Sequence, residues 1–143
     1  MAVIQRRRDG ALLVSEEAAP SGVLFHRPLG GHVEFGEYAL ETVHREFREE
    51  IGQELTGVRL AGVLENIFEW DGATQHEIVF IFTAALTDEA AYEIPEQAIR
   101  DARDKTRVIW RPPDIVSPPL YPVGVADLAA GAIPEASQAD GVP

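Results

Sequence analysis

The sequence predicts an α/β fold in which a mixed β-sheet carries helices packed on it. Three observations predict it. Short strand-like runs precede Gly30, a stretch of helical period covers residues 38–51, and two apolar, β-branched and aromatic runs flank an Asp71-Gly72 pair. The order strands, helix, hairpin, strand, helix calls for a sheet with helices against it.

The opening "MAVIQRRRDGALLVSEE" gives two short strands around the Asp9-Gly10 turn signal. Within it, Arg6, Arg7 and Arg8 suit alternation along a strand better than a phosphate site. After the loop "EEAAPSG", the run "VLFHRP" is a third strand ended by Pro28, and "LGGHVEFGE" is a glycine-rich loop. From Tyr38 to Ile51 the period becomes helical: Leu40, Val43, Phe47 and Ile51 fall on one stripe, and Gly52 supplies the stop. At about 100° per residue, Glu46, Glu49 and Glu50 lie away from that stripe. "VRLAGVLENIFEW" and "HEIVFIFTAAL" around Asp71-Gly72 form a hairpin. "YEIPEQAIRDARDK" fits either a short helix or a loop, "TRVIWRP" is one more strand, and "VGVADLAAG" is a short closing helix. Residues 1–131 are expected to form a single domain, and the small, polar, proline-bearing tail 132–143 to be flexible.

Composition excludes several functions. Twelve basic against twenty-four acidic residues give a net charge of −12, which disfavours nucleic acid polymers and anionic membranes. A small phosphorylated ligand remains compatible if cations screen its site. Cysteine is absent, so disulfides, thiolate metal sites and cysteine nucleophiles are excluded. No run reaches the roughly 20 apolar residues that span a bilayer, and the N-terminus lacks a signal-peptide core; a cytoplasmic location is expected.

The residues that point to chemistry lie in "REFREEIG", Arg45 to Gly52. Like charges four apart on a helix cost roughly 0.2–0.5 kcal/mol, and acids in a last turn oppose the helix dipole by about 0.3–1 kcal/mol. Stability alone gives no reason for Glu46, Glu49 and Glu50 there. Their i, i+3, i+4 spacing lets three hard oxygen ligands converge on Mg²⁺ or Mn²⁺, which would reverse the charge penalty and admit a polyphosphate. Gly30 and Gly31, just ahead of the helix, permit close backbone approach to a ligand. Arg45 can bridge Glu37 and Glu46 and fix their orientation.

From Gly31 the chain reads "GHVEFGEYALETVHREFREEIGQ", which closely resembles the Nudix box, G-x5-E-x7-R-E-U-x-E-E-x-G-U with U a bulky aliphatic residue. Gly31, Glu37, Arg45, Glu46, Glu49, Glu50 and Gly52 match. Phe47 fills the first U with an aromatic, Gln53 departs at the last, and Leu29 stands where a proline is common. The resemblance implies an α/β/α sandwich with a central mixed β-sheet, the box forming loop-helix-loop. It also implies hydrolysis of a nucleoside diphosphate linked to another group. Glu46, Glu49 and Glu50, helped by the Gly31 carbonyl, would hold Mg²⁺ or Mn²⁺, and Glu37 and Arg45 would lock loop to helix. The metal would polarise the diphosphate and acidify water. A box glutamate, or Glu77 outside the box, would take the proton.

Arg27, leading into the glycine loop, could contact a phosphate, while Phe25, Phe68 and Trp70 could stack on a base or fill the core. His26, His32, His44 and His76 show no metal-ligand spacing and count as surface or structural; Trp110 counts as core. The partner implied is a small nucleotide-type diphosphate; homodimers are frequent among such folds, although no interface is identified. Retention of every box carboxylate disfavours a non-catalytic nucleotide-binding or regulatory domain on the same fold. A further alternative is that the acidic helix is only a protein-interaction surface, which an absence of any divalent-metal effect on stability or ligand binding would favour.

Overall fold

The structure, a computed structural model, describes residues 1–100 and 106–131; the tail expected at 132–143, and the end of the ambiguous "YEIPEQAIRDARDK" stretch, lie outside the described residues. Seven strands and two helices follow in the order β1 (Ala2–Ile4), β2 (Leu12–Ala18), β3 (Leu24–Pro28), α1 (Ala39–Ile51), β4 (Leu55–Trp70), β5 (Ala73–Leu86), β6 (Glu96–Ala98), β7 (Arg107–Arg111) and α2 (Val125–Ala129), among the described residues. A 3₁₀ turn, Glu89–Glu93, precedes β6. The ambiguous stretch thus begins at the end of that turn and continues as an edge strand paired with β7.

The fold is α/β, with the strands divided between a mixed sheet, β1-β5-β4, and an antiparallel sheet, β3-β2-β7-β6. The segments flanking Asp9-Gly10 meet through a single antiparallel bridge, Gln5 with Leu12, and the strands make their ladders elsewhere. β1 runs parallel to β5, pairing Ala2 with Phe82 and Ile4 with Ala84, while β2 pairs with β3 and β7. All three β1 residues are buried, as a strand covered on both faces requires. Alternation then sorts its side chains. Ala2 and Ile4 join Val43, Phe47 and Ile51 of α1 in one core, and Val3 joins Val125 and Leu128 of α2 in the other. The helices therefore cover opposite sides of the strand layer.

Helix α1 starts after Tyr38, whose N–H donates to the Glu41 carboxylate at 2.9 Å. It ends at Gly52, φ 67°, with Gln53 N–H donating to Phe47 O at 3.1 Å, the Schellman closure that leaves a left-handed residue at the stop. Leu40 is not on the buried stripe; it is 45% exposed. The inward row is Ala39, Val43, Phe47 and Ile51, and Leu40, one residue beyond its start, is turned about 100° away. Asp71 and Gly72 both have positive φ, 51° and 77°, so β4 and β5 are joined by the two-residue turn whose twist suits a hairpin. Arg6 and Arg8 pair with Asp9 and Glu93, and Arg6 also lies over Trp110, 4.8 Å from the ring centroid.

A buried strut fixes the loop that follows β7. Arg111 is 6% exposed and donates to Pro118 O (2.5 Å) and Ile115 O (2.7 Å). Its NH1 also lies 2.7 Å from His26 Nδ1. A guanidinium only donates, so His26 Nδ1 must accept, which leaves the ring proton on Nε2, 3.2 Å from Glu16. Burial holds the His26 pKa below its usual value, consistent with this neutral tautomer. The His26 backbone bonds Pro119 O and Tyr121 N–H, each at 2.8 Å, so the loop is tied to β3. Arg111→Met leaves one ring nitrogen and two carbonyls without their donor. Urea denaturation should show a loss on the order of 2–4 kcal/mol; a change under about 0.5 kcal/mol, the scale of a surface substitution, would mean that Arg111 does not hold this loop.

Candidate active site

Helix α1 presents one face to the core and turns Arg45 toward the glycine loop. Arg45 donates from Nε and NH2 to the two oxygens of Glu37, at 2.9 and 3.0 Å. NH1 serves Glu46 at 2.7 Å and Glu49 at 3.1 Å, and NH2 also reaches His32 O at 3.2 Å. One guanidinium thus joins three carboxylates and the loop backbone. The Arg45 bond holds the Glu37 carboxyl down at about 2, with further help from the Thr42 hydroxyl, and the same carboxylates raise the pKa of Arg45.

Glu50 is the exception in this network. Its Oε2 is buried and has no hydrogen-bond partner among the described residues. Burial pushes its carboxyl up to about 7, the charges of Glu46 and Glu17 push the same way, and Arg27 and the Gly30 N–H pull against them. Glycine is required beside it. A Cβ on Gly31 would overlap the Glu46 carboxylate, and one on Gly30, at φ 139°, would stand 2.7 Å from Met1 Cα. The close approaches allowed by these two glycines are made by the chain itself.

Next to this acidic corner is a cavity of about 340 Å³. Glu17 and Arg27, both felt by Glu50, line it together with His32 of the glycine loop. From the hairpin, Asn66, Phe68, Trp70, Gln75 and Glu77 enter it, because Asn66 pairs with Glu77 and Phe68 with Gln75 on one face of the ladder. Phe25 packs edge-on against Trp70 (6.1 Å, 85°), Trp70 against Phe68 (6.5 Å, 84°), and Tyr121 closes the far wall against Phe25. Tyr121 belongs to the loop held by the Arg111 strut.

The donor set suits a hard divalent cation: carboxylates only, one of them with a buried free oxygen lacking any partner, beside a glycine that leaves room for Glu46. Among the described residues no three acidic or histidine side chains are gathered into a complete ligand set, since Glu49 is turned outward onto Arg45. Glu46 and Glu50 are the inner pair.

A family model for the NUDIX domain matches residues 1–127. The chain belongs to the Nudix family. Its fold is similar to the solution structure of the E. coli ORF135 protein, at 24% identity over 90% of this chain and 83% of that chain, with a TM-score of 0.55. No curated protein matches it significantly. Nudix domains are hydrolases, and membership implies pyrophosphohydrolase activity in general terms.

In this Nudix domain the box spans the glycine loop and α1, and the aromatic cavity lies beyond it. Of the residues picked from sequence, Glu37, Arg45, Glu46 and Glu49 form the Arg45 network, Glu50 stands at its inner end, and Arg27, Phe68 and Glu77 line the cavity. Gly30 and Gly31 are not in the cavity wall. Glu17, His32, Asn66, Gln75 and Tyr121 line it without having been picked for the site. A signal existed for Asn66: it is the one polar residue in the inward row Leu64, Asn66, Phe68, Trp70.

The raised carboxyl of Glu50 has a measurable consequence. Because its folded-state pKa, about 7, lies above the ordinary 4.5, protonated Glu50 favours the metal-free fold. That contribution is complete below pH 4.5 and is lost as the pH rises through about 7, on the order of 3 kcal/mol in all. In chelator, Glu50→Gln should abolish this part of the stability slope and be the more stable protein at pH 8. Adding Mg²⁺ at pH 8 should raise the melting temperature of the parent and do much less for the variant. Identical pH profiles for the two proteins would contradict the burial argument.

Proposed function

We propose that this Nudix domain is a divalent-metal-dependent hydrolase that cleaves the pyrophosphate linkage of a nucleoside diphosphate derivative by attack of activated water. The substrate would be a nucleoside triphosphate, a dinucleoside polyphosphate or a nucleotide sugar. The observation that carries this reading is the buried, unpartnered oxygen of Glu50, at the junction of the Arg45 carboxylates and an aromatic cavity. An acid in that position is a burden to the fold until a cation meets it.

Glu46, Glu49 and Glu50, with the Gly31 carbonyl, would hold Mg²⁺ or Mn²⁺. Such an ion supplies positive charge to phosphoryl oxygens and acidifies water. The remaining work falls to the chain. Arg45 keeps Glu46 and Glu49 in fixed orientations and, through Glu37 and His32 O, anchors the loop to the helix. Arg27 sits 3.8 Å from Glu17 and can exchange that weak pairing for a forked contact with a phosphate. Phe68 and Trp70 offer ring surface to a base, and their edge-on packing already limits their freedom. Glu77, in the cavity wall, is a candidate proton acceptor alongside the box glutamates.

Assays across a nucleotide panel with Mg²⁺ or Mn²⁺, with the products identified, test this reading. Glu49→Gln and Glu50→Gln should each lower kcat by about 100-fold or more while the circular dichroism spectrum is unchanged. Normal turnover in both variants would sink the assignment, and tight binding with no turnover in the parent would favour a nucleotide-binding domain instead. Glu77→Gln should lower kcat by about 10²–10⁴-fold if Glu77 takes the proton. Unimpaired turnover in that variant transfers the role to the box.

A further inference from the structure

On β4, Asn66 interrupts an apolar row. Leu64 before it is core, paired with Val79, while Phe68 and Trp70 after it face the cavity. Asn66 is 8% exposed, and its amide makes no hydrogen bond to the protein among the described residues. Its polar atoms are not sealed in; they open onto the cavity that Phe25, Phe68, Trp70 and Tyr121 surround. With no partner in the protein, the amide is satisfied only by what the cavity holds, water or a ligand. A leucine of similar size would complete the apolar row with no polar group to satisfy. The amide is therefore placed for something that enters the cavity.

We propose that Asn66 is the residue that selects the nucleobase, a role that rests on the hydrolase reading above and deepens it. The amide presents one acceptor beside two donor hydrogens. Its complement is a planar edge with a donor next to an acceptor: the amino group and ring nitrogen of adenine or cytosine in one orientation of the amide, the ring N–H and carbonyl of guanine or uracil in the other. The orientation in which the amide is held therefore sets the preference. Ring surfaces of Phe68 and Trp70 contact the base through area without regard to its identity, and the amide discriminates by edge. An aspartate at the same position would offer only acceptors. It would then favour guanine, whose N1–H and N2 amino group are adjacent donors, and disfavour a base edge carrying an acceptor.

The test is binding of AMP, GMP, CMP and UMP, read through tryptophan fluorescence since Trp70 lines the cavity, beside kinetics on the corresponding triphosphates and on inorganic triphosphate. Asn66→Leu should weaken binding of the preferred monophosphate about tenfold or more, level the four affinities and leave inorganic triphosphate unaffected, while raising the melting temperature. Asn66→Asp should raise the GMP-to-AMP affinity ratio at least about tenfold. In kinetics the same changes should appear in KM, with kcat within a few-fold.

Equal affinity for all four bases in the parent, or unchanged ratios in both variants, would overturn the proposal while hydrolysis, if present, stands. Base-dependent binding that Asn66→Asp redirects, in a protein that turns nothing over, would support Asn66 and defeat the hydrolase reading instead. A fall in kcat with unaltered base preference would assign Asn66 to orienting its cross-strand neighbour Glu77 and would also overturn it. So would a lower melting temperature for Asn66→Leu, which would mean that the amide serves the fold.

Discussion

The Arg45 guanidinium is the constraint on which the acidic end of this molecule depends. Glu37, Glu46 and Glu49 converge around it, and the His32 carbonyl adds a fourth acceptor. Without a cation in their midst, these charges would repel one another along the last turns of α1 and across to the loop. With it, the loop ahead of the helix is held against the helix, Gly31 is pressed to the Glu46 carboxylate, and Gly30 receives the backbone of Met1. A single forked donor can do this because its five N–H groups lie in one plane at fixed angles; a lysine could neutralise the charge but could not hold two oxygens of Glu37 in register. Arg45 does not reach Glu50. That carboxylate is left with a buried oxygen and a raised pKa, and so remains available to something other than the protein.

The second requirement is a wall opposite the acids, and it comes from the strand layer. The hairpin β4–β5 pairs with β1 through β5, while β3, β2 and β7 form the other sheet, so the cavity is lined from both sheets: Glu17, Phe25 and Arg27 from one, Asn66, Phe68, Trp70 and Glu77 from the other. A third contribution comes from the loop after β7. Its carbonyls are gathered by Arg111, a buried charge that makes no ion pair among the described residues, and by the backbone of His26. Burial depresses the pKa of Arg111, yet three acceptors compensate the desolvation of the guanidinium. Tyr121 inherits its position from that arrangement.

The division between what could and could not be read from the sequence follows the range of the interactions. The helix, its Gly52 stop, the Asp71-Gly72 turn and the carboxylate spacing are local, and each appears as a pattern within a few residues. The fold class emerged from their order. The parallel pairing of β1 with β5 did not, because nothing near Ala2 specifies a partner eighty residues away; the Asp9-Gly10 signal marks only the local turn, which Gln5 and Leu12 bridge. Leu40 was misplaced for a local reason: the buried row begins at Ala39, whose small side chain carries little hydrophobic signal. Arg27 and Phe68, which line the cavity, were legible through their proximity to recognisable motifs. Glu17 was not, since "VSEEA" looks like an exposed strand end until β3 brings Arg27 beside it. His26, read as surface or structural, is structural, but its role in the strut depends on Arg111, far along the chain.

Among the described residues, two inward-facing groups lack a partner in the protein, a sealed oxygen of Glu50 and an amide of Asn66 that opens onto the cavity, and they stand at opposite ends of the same region. Glu50 lacks a partner for one oxygen beside the box carboxylates, and Asn66 lacks one for its amide on the hairpin wall. Elsewhere, buried polar side chains are paired: Ser15 with Glu17, His26 with Glu16 and Arg111, Thr42 with Glu37, Arg111 with two carbonyls. The fold is capable of satisfying such groups, so leaving these two unpaired is a local property and not a general looseness. One is an acid that suits a cation; the other is a neutral amide that suits a planar polar edge. Arg27 lies between those chemistries, in the cavity wall and close enough to lower the pKa of Glu50. An anionic linker joining a cation-seeking end to a base would satisfy all three at once, and a nucleotide is the simplest molecule with that sequence of parts.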